Sequence, residues 1–202
     1  MNIYFFLYDF LSLLIWGIVP IRQKGGKYFL FFLILISGDI IANITFFSPY
    51  PIKSYFATNF FYISSAMLRL ISVQEKKISS LSAIIILILC IVTITSEVHG
   101  LTYKHELAIL SLFHFLFLLK FLQNFIIKFV KENNFSLFLG CLIFYEITAT
   151  TKYFGLITGF ANAGYYLITT TIFEILIGIF FCIFRDDDPR ILIKLKNIYA
   201  DS

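Results

Sequence analysis

Charge is what this sequence has least of. Sixteen Lys and Arg and twelve Asp and Glu stand among 202 residues, 14% of the chain, where an ordinary soluble domain carries about 25%. So few charged side chains cannot cover a soluble fold of this length. The low charge and high apolar content also exclude intrinsic disorder. The basic residues are scattered among apolar runs rather than gathered on one face, which excludes a nucleic-acid binder and nucleic-acid partners. Only three cysteines are present, Cys90, Cys141 and Cys182. All lie inside apolar runs without CxxC spacing, so a disulfide scaffold is excluded and small buried hydrophobes are expected. Of three histidines, His99 and His105 fall in an expected loop and only His114 in an apolar run. No HExxH or comparable spacing occurs, so no metal and no cofactor is expected. GxSxG, P-loop and GxGxxG motifs are missing, and no inverted repeat is visible.

What is there instead is apolar. Hydrophobic residues make up 59% of the chain and aromatics 19%, with 26 phenylalanines and a mean hydropathy of +0.89. The solvent implied is lipid. A bilayer core about 30 Å thick needs about 20 apolar residues per helix. Seven runs qualify, roughly 3–19, 28–47, 55–72, 79–96, 107–127, 135–152 and 162–184. Pro20 with Gly25-Gly26, and Ser48-Pro49-Tyr50-Pro51, separate the first three; Gln74 to Lys77, Glu97 to Gly100 and Lys131 to Asn134 punctuate the next. The runs are too long for strands and lack period-2 alternation. Asp9 interrupts the first run and no basic residue precedes it, so that run is expected to stay as a helix rather than act as a signal peptide.

The sequence therefore predicts an all-α, polytopic, seven-transmembrane helix bundle over 1–185, with a tail over 186–202. Thirteen basic residues fall on one side of this arrangement and only Lys53, Lys104 and Lys152 on the other. By the positive-inside bias the N-terminus lies outside and the C-terminus is cytoplasmic, in a cell inner membrane, with the lipid bilayer as the first partner. Arg69 and Lys120 are assigned to anchoring at the inner face by snorkelling. The tail, with Asp186-Asp187-Asp188-Pro189 ahead of Ile191, Leu192, Leu195 and Ile198, predicts a short interfacial helix over 189–199.

Ionisable side chains at membrane depth are costly and usually face protein or a water-filled cavity. Asp39 would sit roughly 16 Å from the inner boundary at about 1.5 Å per residue, with Glu146 at similar depth, Glu174 nearer the cytoplasm, His114 in the outer half and Asn59 near the outer mouth. Asp39 and Asn43 are spaced i,i+4, as are Glu146 and Thr150, while Thr170 and Thr171 lie one turn before Glu174. Asp39, Asn43, Asn59, His114, Glu146 and Glu174 are the candidate lining of a polar midplane cavity. The alternative is that each acid is protonated and bonds across helices as structural glue.

Certain motifs carry a resemblance. Leu14-Ile15-Trp16-Gly17, the basic first loop and the acid in the second run are similar to a diffuse set of small seven-helix bacterial membrane proteins. Gly38-Asp39, the stretch Phe56-Ala57-Thr58-Asn59-Phe60-Phe61-Tyr62 and the stretch Gly140 to Phe144 resemble the lysoplasmalogenase-like membrane hydrolases. Asn59 stands where that family has histidine and Thr148 where it has aspartate, with Glu146 two residues earlier. The resulting expectation is a non-enzymatic sensor, ligand-binding or channel-like module, or a subunit partnered by other membrane proteins. The alternative is a lipid hydrolase using Asp39 with Glu146 or Glu174 as acid and base.

Overall fold

The computed structural model describes residues 3–46, 63, 65–70, 72–73, 103–159 and 163–194. The chain is mostly helical: α1 is Ile3–Arg22, α2 Phe29–Phe46, α3 Tyr103–Glu132, α4 Leu137–Thr158 and α5 Ala163–Ile183. Residues 65–70 form a further helical stretch from the third apolar run, and the fourth run lies outside the described residues. Among the described residues, two segments, Leu107–Glu132 in α3 and Tyr165–Ile183 in α5, are long and apolar enough to cross a membrane.

The helix ends have local causes. α1 runs through Pro20, which was expected to help end it. A proline in the last turn forfeits one ladder bond and has little helix beyond it to distort. The reversal comes later, at Gly25, with φ +79. α3 ends at Asn133, φ 50, a left-handed residue of the type asparagine tolerates. α4 starts at Ser136, whose hydroxyl accepts from Leu139 N at 3.4 Å, and closes on Gly159 at φ 65.

α3 packs along α4, α1 along α5 and α2, and α4 along α5. The core between them is aromatic. Phe31, Phe32, Phe113, Phe117, Phe121, Phe138 and Phe181 are fully buried. Phe31 meets Phe117 and Phe121 edge-on at 5.6 and 5.4 Å, and Phe32 meets Phe138 edge-on at 6.3 Å. Such pairs contribute about 0.5–1.5 kcal/mol each beyond area burial. The outward faces carry Phe10, Leu14, Ile18, Leu30, Ile44, Phe154 and Leu176, whereas Gln23, Arg69, His114, Asn124 and Glu146 are buried.

One end of the helix set is tied together by polar contacts. A helix leaves its last carbonyls without partners. Gln23 Nε2 donates to the carbonyls of Phe181 and Phe184 at 2.8 and 2.7 Å, and Arg22 Nη2 to that of Ile183 at 3.2 Å. Asp186 Oδ2 accepts from Lys27 N at 3.2 Å. Gly26 permits this approach, because a Cβ there would lie 2.8 Å from Asp186 Oδ1.

The tail corrects an expectation. Residues 189–194, expected to begin an interfacial helix, form a 3-10 turn, Pro189–Ile191, followed by a strand, β2, Leu192–Lys194. β2 pairs antiparallel with β1, Asn134–Ser136, in the register Asn134↔Lys194, Phe135↔Ile193 and Ser136↔Leu192. Ile191 is buried in the core, so the β-branched side chains of this segment are fixed by packing and a ladder rather than by helical periodicity. Residues 195–199 of the expected helix lie outside the described residues.

Candidate functional site

A cavity of about 130 Å³ lies among the helices. α1 contributes Ser12, Leu13 and Trp16; α2 contributes Leu35 and Asp39; the helical stretch 65–70 contributes Arg69. Leu110 and His114 come from α3, Tyr145, Ala149, Lys152 and Tyr153 from α4, and Glu174 from α5. Three of the sequence candidates, Asp39, His114 and Glu174, thus share one cavity. Glu146 is bonded to His114, with no exposed surface of its own. Asn43 lies within α2, but its side chain is outside the described residues, as is Asn59 entirely.

His114 Nδ1 and Glu146 Oε2 are 2.6 Å apart, in a site where the residues are 4% and 0% exposed. The separation is that of a hydrogen bond between the two side chains. The imidazole also stacks on Tyr153, with centroids 5.2 Å apart and planes 25° apart. Glu146 Oε1 has no hydrogen-bond partner among the described residues. Across the cavity, Lys152 Nζ donates to both oxygens of Glu174 at 3.2 Å, joining α4 to α5. Trp16 packs against Tyr145, centroids 4.8 Å apart.

The polar stripes expected on the acid-bearing helices have a different use. Thr150 Oγ1 donates to the Glu146 carbonyl at 2.7 Å, not to its carboxylate. Thr170 and Thr171 donate to the Leu167 carbonyl at 2.9 and 2.8 Å. Thr148 likewise donates back to Phe144 O at 2.9 Å. These hydroxyls are satisfied by their own helices, the usual habit of threonine inside a helix.

Two charged cavity residues went unrecognised as such in the sequence. Arg69, assigned to anchoring, is 4% exposed and on the cavity wall. Its guanidinium carbon lies 5.7 Å from the Phe31 ring centroid and 5.1 Å from that of Phe117. Lys152, counted as an outer basic residue, is the partner of Glu174. Lys152 sits close enough in sequence to the apolar runs to be suspected of answering one of their acids, whereas no sequence signal marks Arg69. Among the described residues no three His, Cys, Asp or Glu side chains are grouped to hold a metal ion. Cys141 and Cys182 are partly buried and unpaired, and Cys90 lies outside the described residues. No known protein family, curated protein or solved structure matches the chain.

Proposed function

We propose that this chain is a multi-pass inner-membrane protein that binds a small polar ligand in the charged cavity. In this reading the seven apolar runs span the bilayer, with the N-terminus outside and the C-terminus cytoplasmic. The supports are the apolar outward faces, the buried polar set and the uneven distribution of Lys and Arg. The observation that carries the ligand reading is the wall itself: Asp39, Arg69, His114, Lys152 and Glu174 around about 130 Å³. Ionisable groups in such surroundings are expensive unless they face one another, water or a ligand. Pockets for drug-sized ligands run to about 300–1,000 Å³, whereas a water molecule takes about 30 Å³. The ligand is therefore a molecule of a few heavy atoms, or the polar end of a larger one.

A second reading, a lipid hydrolase of the lysoplasmalogenase-like type, is favoured by one observation: Asp39 and Glu174 share their cavity with His114. Glu174 is already held by Lys152, however, and the Thr148 hydroxyl is turned to its own backbone.

The test uses the full chain in lipid nanodiscs. Its melting is followed against a panel of short carboxylates, amines and amino acids, and its turnover against a panel of lysolipids. Saturable stabilisation without turnover is expected. A panel in which no solute shifts the melting overturns the ligand reading. Lysolipid turnover that disappears in a folded Asp39→Asn variant selects the hydrolase.

A further inference from the structure

Among the described residues of the cavity wall, Arg69 has buried nitrogens left without partners. Of its three guanidinium nitrogens, Nε and Nη1 are buried with no hydrogen-bond partner, and among the described residues no ion pair with Arg69 occurs. Of the other charges, Lys152 and Glu174 hold each other, His114 holds Glu146, and Asp39 has an interaction of its own. Contact with the faces of Phe31 and Phe117 offsets only part of the desolvation of a guanidinium. A buried cation without a partner is strongly unfavourable, and arginine's planar fork matches two oxygens of one acid.

We propose that Arg69 is the anion anchor of this cavity and that its ligand carries a carboxylate. The inference rests on the ligand-binding reading and narrows it. A singly charged carboxylate balances one guanidinium. A phosphate dianion would bring a second negative charge beside Asp39 and Glu174 on the same wall. The carboxylate has two possible sources, a short free acid or a fatty acid from the bilayer. An apolar cleft of about 290 Å³, lined by Phe154, Gly155, Leu156, Tyr166 and Leu167, shares Lys152 with the cavity and offers apolar surface for the second.

The experiment compares propionate, its neutral isostere propionamide, methylamine and oleate on the full chain in nanodiscs, read by thermal unfolding. At a hundredfold excess over Kd, a carboxylate that binds raises Tm by roughly 5–10 °C. Propionate is expected to stabilise and propionamide to be inert. Oleate acting where propionate does not places the acid in a lipid, and still supports the anchor. Arg69→Gln should unfold no more readily than the parent without ligand, since it removes an unpaired charge, and should lose the response to carboxylate. The parent comparison of propionate with propionamide does not depend on that variant folding. Stabilisation by methylamine alone, or equally by propionamide, overturns the anchor and leaves the cavity as a binding site. No response to any solute overturns both readings.

Discussion

Replacing His114 with Phe keeps a flat ring against Tyr153 and strands the Glu146 carboxylate. In the parent, Oε2 has one partner, the imidazole at 2.6 Å, while Oε1 has none among the described residues and Glu146 has no exposed surface. Taking away one member of a buried pair costs about 3–5 kcal/mol, because the other charge stays behind without solvation. At about 2–4 °C per kcal/mol for a chain of this size, His114→Phe should lower Tm by roughly 6–20 °C. Glu146→Gln keeps an oxygen that accepts from Nδ1–H and should cost only about 1 kcal/mol. The double replacement His114→Phe with Glu146→Leu removes both polar groups at once and should regain most of the single variant's loss. Unfolding in mixed micelles, followed by far-ultraviolet circular dichroism, measures all four proteins. A His114→Phe variant within about 1 kcal/mol of the parent, or a double variant no better than the single one, would refute the account of this pair.

Two further predictions concern the ends of the helices. Lys53→Cys and Lys104→Cys should react with an impermeant thiol reagent added outside, and Lys24→Cys should not; the reverse pattern would sink the orientation. In the tail, Arg190 donates to both oxygens of Asp188, Nη2 at 2.7 Å and Nε at 3.0 Å, and its backbone N–H adds a bond at 3.0 Å. These bonds hold the Asp188 carboxyl down at about 2. A depressed acid stabilises the fold above its ordinary range, near 3.9, and loses that contribution as pH falls through the folded value. The 189–191 turn should therefore persist at pH 4 and loosen towards pH 2. Carboxyl NMR should show Asp188 returning to the ordinary range in Arg190→Ala.

Much of the helix placement is legible in the sequence, because an apolar run of twenty residues has few other uses. α2, α4 and α5 begin within two residues of the expected positions. Two of the misjudged features are cations: Lys152 was placed at the outer end of a span and Arg69 at the inner face. Lys152 lies inside α4, which continues to Thr158, because its ammonium is spent on Glu174 across the helix contact. Arg69 is buried with its flat cation resting on the rings of Phe31 and Phe117. Neither fact is available to a one-dimensional reading, which sees a charge but not its neighbour. The tail failed differently. Asp188 and Pro189 do start a helical turn, but Leu192–Lys194 finds its ladder partner at Asn134–Ser136, a non-local pairing that no local periodicity encodes. Of the polar residues marked inside apolar runs, Asp39, His114 and Glu174 stand on the cavity wall and Glu146 behind His114. The pairing of His114 with Glu146, and of Glu174 with Lys152, depends on how the helices pack.

The chain holds a single tryptophan, and Trp16 is on the cavity wall, 5% exposed and packed on Tyr145. Indole fluorescence from this protein therefore has one origin. Its emission wavelength reports the polarity at the cavity wall, undiluted by signal from the apolar outer surface. Tyr145, in contact with it, feeds excitation energy to that same ring. A quencher small enough to enter will dim the emission and one too large will not. The protein thus carries its own optical gauge of what enters the cavity.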